Sequence, residues 1–62
     1  MTYTILKELT ANGIIEKGTF VSIISDTDVF YQYDNLEDAE NKLLELRNNE
    51  NEGREYTIFV ED

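Results

Sequence analysis

The chain contains no cysteine and no histidine. Without cysteine there is no disulfide to staple the fold and no thiolate chemistry. Without histidine the commonest metal ligand, the commonest general base and the usual proton switch near neutral pH are all missing. Ser22 and Ser25 have no imidazole to activate them, and no arrangement of lysine with serine suggests a substitute base. Glycine is confined to three separated positions, 13, 18 and 53, so there is no glycine-rich loop to cradle a phosphate. No apolar run approaches the ~20 residues of a membrane span. The opening residues MTYTILKELT lack the basic start, apolar core and small-residue cleavage site of a secretion signal. These absences lead us to expect a soluble cytoplasmic protein that is not an enzyme and holds no metal or cofactor.

Basic charge is scarce too. Five Lys and Arg stand against fourteen Asp and Glu, for a net charge of −9. The imbalance is not spread evenly. In residues 1–25, Glu8 and Glu16 cancel Lys7 and Lys17, whereas residues 26–62 set twelve acids against Lys42, Arg47 and Arg54. Nucleic-acid phosphate and anionic lipid are repelled by such a surface, so neither is an expected direct partner.

What is present reads as one small domain, 1–62, near the lower size limit for folding without staples. Residues 3–9 suit a strand. Asn12-Gly13 offers two residues that tolerate positive φ, as a tight type I′ hairpin requires, and residues 14–17 start the return. That two-residue loop places Ala11 opposite Ile14, Glu8 opposite Lys17 and Ile5 opposite Phe20, with Gly18 marking a bulge or break. Residues 19–25 and 29–33 read as two further strands joined by an Asp26-Thr27-Asp28 turn. A three-residue loop pairs Ile23 with Tyr31 and Val21 with Tyr33.

Residues 35–48 carry Leu36, Ala39, Leu43 and Leu46 at spacings of three and four, one apolar stripe on a helix. Asp34 or Asn35 can cap its start, with Glu37 or Asp38 as capping-box partner. Glu37, Asp38 and Glu40 near the start and Arg47 near the end suit the helix dipole, and Asp38 stands one turn before Lys42. Residues 54–60 form a last strand, with Tyr56, Ile58 and Val60 on one face and Thr57 and Phe59 on the other. The expected fold is α+β, in β-β-β-α-β order: a mostly antiparallel sheet of about four strands with one helix on one face.

The stretch YQYDNLEDAENKLLELRNNENEGREYTIFVED resembles the strand–capped helix–strand unit of many small uncharacterised proteins of tailed phages and bacteria. That resemblance covers about half of the chain. It implies an α+β fold and a small accessory role, and it carries over no functional residue.

Two acidic patterns invite a chemical reading. The window of residues 26–37 has acids at positions one, three, nine and twelve, like a calcium loop, but Phe30 and Tyr31 stand where an oxygen ligand and a glycine are needed. It reads instead as a turn followed by a helix cap. Paired carboxylates of glycosidase type need a cleft, and a domain with one helix offers none that is obvious.

Surfaces are more informative. One helix covers one face of a sheet, yet the strands are apolar on both. With Val21, Ile23 and Tyr31 under the helix, Phe20, Ile24, Phe30 and Phe59 need another cover and form a candidate interface. Glu37, Asp38, Glu40 and Glu45 form a candidate acidic surface. The expectation is a small acidic interaction module, a phage or bacterial accessory protein that binds and modulates a host protein. The alternatives are a DNA mimic that inhibits a nucleic-acid-binding enzyme, of anti-restriction or anti-CRISPR kind, and a homodimeric structural protein.

Overall fold

The computed structural model describes residues 1–23, 30–51 and 53–62. The elements run β1 (Thr2–Ala11), β2 (Ile14–Ser22), β3 (Gln32–Tyr33), α1 (Leu36–Asn49) and β4 (Tyr56–Glu61). The class is α+β, a four-stranded antiparallel sheet with one helix packed on it.

At the first turn, Asn12 and Gly13 both take positive φ, 54° and 78°, and Ala11 pairs with Ile14. Beyond that tip the register departs from the simple hairpin. Thr10 faces Ile15, but Glu8 faces Phe20. β1 advances two positions there while β2 advances five, so β2 carries three extra residues in a bulge. Gly18 sits inside it at φ 84°, a backbone conformation open to glycine at no steric cost. The expected pairs Glu8–Lys17 and Ile5–Phe20 are thereby replaced by Glu8–Phe20 and Lys7–Val21. An odd insertion also reverses which face a side chain takes, so Phe20 and Ile5 end on opposite faces.

The second expected hairpin register is also corrected. Tyr33 pairs with Tyr3 and Gln32 with Thr4, not with β2, and the Tyr31 carbonyl accepts the Ile5 N–H at 3.0 Å. Val21 is opposite Lys7 and exposed. The Asp26-Thr27-Asp28 turn and Ile24 lie outside the described residues.

The sheet order is β2-β1-β3, with β4 also paired to β1 over Thr2–Lys7. A strand has only two edges. Leu6 and Lys7 are flanked by β2 and β4, while Tyr3 and Thr4 are flanked by β3 and β4. β2 and β3 therefore occupy successive stretches of one edge of β1, and β4 occupies the other.

Alternation along β1 then assigns the faces. Tyr3, Ile5 and Lys7 share a face with their partners Val60, Ile58 and Tyr56, and this face lies under α1. Ile5, Ala39 and Tyr56 are its buried apolar residues. Leu43 and Leu46 are half-buried on the helix stripe, while Leu36 is exposed. Asn35 is the N-cap: its Oδ1 accepts the Asp38 N–H at 2.9 Å, and its Nδ2 donates to the Asp38 carboxylate at 2.9 Å. Lys42 pairs with Glu45 at 3.4 Å, one turn ahead, and not with Asp38, whose carboxylate is taken up at the cap.

Replacing Asn35 removes both bonds at the start of the helix. Asn35→Ala is expected to lower the unfolding free energy by about 1 kcal/mol in urea titration, with the slope unchanged.

Candidate interaction surfaces

The face of the sheet away from α1 is built from the other alternation of β1. Thr4 lies between Phe59 and Gln32, and Leu6 lies between Thr57 and Ser22. Gln32 Nε2 donates to Thr4 Oγ1 at 3.3 Å, which ties these two polar side chains together. Phe20 is opposite Glu8 and half-buried. Phe30 precedes Tyr31, which lies on the helix side, so alternation puts Phe30 on this open face. Phe30 and Phe59 are 47% and 50% exposed. Of the four candidate interface residues, the structure thus brings Phe20, Phe30 and Phe59 to one face.

The candidate acidic residues are all on α1, and all are exposed. Glu37 and Glu40 project from its first turns. Asp38 is engaged by Asn35, and Glu45 by Lys42, whose ammonium also lies 5.0 Å from the Tyr31 ring centroid.

A third feature is not evident from residue patterns. Glu8 is only 2% exposed. Its Oε1 accepts the Glu55 N–H at 3.0 Å, and its Oε2 accepts the Gly18 N–H at 3.4 Å. Its own N–H donates to the Glu55 carbonyl at 3.0 Å. Lys17 comes within 3.8 Å of the same carboxylate but is largely exposed, so it adds little. One side chain thereby ties the β2 bulge to the segment entering β4. The Glu8 and Lys17 charges do meet, as the residue types suggest, although their backbones are not partners. Sequence spacing shows the Lys17 contact but not the contact with Glu55, forty-seven residues away.

On the helix side, Lys7 Nζ meets Glu50 Oε2 at 3.0 Å, and Tyr56 Oη donates to the same oxygen at 2.9 Å. Arg47 donates to the Tyr56 carbonyl at 3.4 Å. This network joins the end of α1 to β1 and β4. Burial pushes the Tyr56 phenol above its usual value, and the Glu50 hydrogen bond adds to this against the opposing Lys7 charge. Burial lowers the Lys7 amine, but the Glu50 hydrogen bond and the charges of Tyr56 and Glu50 outweigh it, so the net shift is upward. Among the described residues there is no cavity and no group of three acids positioned for a metal ion. No described helix is long and apolar enough to cross a membrane. Comparison with protein-family models, curated proteins and solved structures finds no match to this chain.

Removing the Glu8 carboxylate takes the part-buried acceptor from the Gly18 and Glu55 N–H groups. Glu8→Ala should lower the unfolding free energy by about 1–3 kcal/mol in urea titration, with Glu8→Gln losing less because its amide oxygen still accepts one bond. The Lys7 and Tyr56 shifts give a second expectation. Both folded-state values lie above the ordinary 10.5 and 10.0, so the unfolded chain sheds these protons first as pH rises. Their contribution to stability is full below about pH 10 and is lost as pH climbs through the folded values. Thermal melts across pH 8–12, with tyrosinate absorbance followed in parallel, should show the decline beginning near pH 10 and weaker in Glu50→Gln.

Proposed function

We propose that the chain is a non-enzymatic protein-interaction module, an accessory protein of phage or bacterial kind that acts by occupying a surface of the protein it binds. The observation that carries this reading is the pair of half-exposed phenylalanines, Phe30 and Phe59, on the face that the helix leaves open. Aromatic side chains gathered on an open sheet face cost less when covered than when wet, and they are enriched at the centres of interfaces. The exposed acids of α1 keep so small a domain soluble and steer its approach to a basic neighbour, which raises the association rate more than the affinity. Asp38 and Glu45 already have partners within the chain, so the helix offers fewer free carboxylates than its composition suggests. This favours contact through the aromatic face over a phosphate-like array on the helix.

Capture from cell lysate with the immobilised chain tests the reading when variants are compared at low and high salt. A stoichiometric protein partner should survive high salt and be lost with Phe59→Asp. It should persist with Glu37→Gln and Glu40→Gln combined. Loss through the helix substitutions, with the Phe59 variant unaffected, would refute it.

A further inference from the structure

We infer that the open sheet face packs against the same face of a second copy of this chain, as a two-fold sandwich with the two helices outside. The inference rests on the reading of that face as an interaction surface and names a second copy as what covers it when no other protein is bound there.

Charge placement is the first argument. The two rows Phe59-Thr4-Gln32 and Thr57-Leu6-Ser22 contain no charged side chain. Of the flanking rows, the one beyond Leu6 holds Glu8, which is buried and hydrogen-bonded within its own chain, and the one beyond Thr4 holds the exposed Glu61 opposite Thr2, at the end of the face. A two-fold interface brings a surface against itself, so any exposed charge near the axis meets its like. The two central rows of this face meet that condition despite a net charge of −9, with Glu61 at the end of the face, and the acidic helix does not. A charged partner, by contrast, finds no ionic group to pair with in these rows.

Long-range repulsion is avoided as well. Facing sheets pack ~10 Å apart, and each helix lies roughly 10 Å behind its own sheet, which sets the two acidic helices about 30 Å apart. Screening at physiological salt acts over ~8 Å. The charge of each helix is therefore largely screened from the other helix.

The need for a partner comes from the core. Among the described residues the buried apolar side chains are Ile5, Ala39 and Tyr56. A domain without disulfides that buries so little alone gains stability by covering Phe20, Phe30 and Phe59 with a copy of themselves. The face is modest. Ten residues of β1, at ~3.4 Å each, and three strands' width give on the order of 500 Å² per copy, below the ~800 Å² of a standard interface. The dimer is thus a reversible one.

Analytical ultracentrifugation of the full chain from low micromolar to near-millimolar concentration should show the mass doubling. The melting temperature should rise with concentration. Phe59→Asp should hold the chain at single mass with its far-ultraviolet spectrum intact. Because the chain has no cysteine, single spin labels can be placed cleanly, and they report even if the aspartate variant fails to fold. Labels at Thr57→Cys should give a short distance between copies, and labels at Glu40→Cys a long one. A single mass at every concentration overturns the second-copy assignment while leaving the capture experiment to judge the interaction reading. A dimer with the Thr57 labels far apart overturns the face assignment. Loss of lysate capture alongside an intact dimer refutes the accessory-protein reading alone.

Discussion

Among the described residues, every strand pairing in this sheet is made with β1. That constraint organises the molecule. β3 is two residues long and has no ladder of its own to rely on, so it is held by Tyr3, Thr4 and the Ile5 N–H. β4 returns from the helix and finds the remaining edge. Because all three strands align on one template, the alternation of β1 decides both faces at once. Ile5 points into the core under α1. Thr4 and Leu6 point to the face that α1 does not cover. Slipping β1 by one residue relative to its neighbours would exchange these sets and place Lys7 and Glu8 on the wrong sides.

Much of this was legible locally. Asn12-Gly13 announces the tight turn, and the turn forms with both residues at positive φ. The stripe through Leu36, Ala39, Leu43 and Leu46 gives the helix, although Leu36 is exposed, and of the two capping candidates, Asp34 and Asn35, it is Asn35 that caps its start. Tyr56, Ile58 and Val60 share a face as the alternation indicates. What residue patterns do not encode is long-range register. Gly18 signals a bulge but not its size, and size decides the outcome. Three extra residues place Phe20 beside Glu8 on the open face, where a plain hairpin places it beside Ile5. The same limit applies to Tyr33. Loop geometry offers Val21 as its partner, but β1 provides a neighbour with a free edge, and Tyr3 takes that place. Phe20, Ile24, Phe30 and Phe59 were expected to need cover beyond one helix, and of these Phe30 and Phe59 are about half exposed.

Electrostatics follow the same division into sides. The first 25 residues are neutral overall and supply β1 and β2. Four of the twelve acids of the later segment lie on α1, where Glu37 and Asp38 occupy the first turn and Arg47 the last. Sequence proximity to a helix start favours carboxylates through the macrodipole. The helix side thus presents exposed carboxylates, and the opposite face of the sheet carries two uncharged central rows.

Glu8 shows why a buried carboxylate belongs in so small a fold. A buried charge is weak evidence of net stability, since desolvation offsets much of what its bonds return. Its value here lies in which groups it satisfies. The Gly18 N–H belongs to a bulge, where the ladder is interrupted, and the Glu55 N–H belongs to the residue before β4 begins. Both are backbone donors that strand pairing leaves over. An apolar residue at position 8 would bury comfortably but leave both donors unsatisfied, and the sheet could then shift to recover them. A carboxylate with two acceptor oxygens closes both gaps from one position, and it does so only when β2 carries its bulge and β4 starts where it does. The side chain therefore discriminates against neighbouring registers more than it strengthens the correct one. That discrimination is what keeps Ile5 beneath the helix and the phenylalanines together on the opposite face.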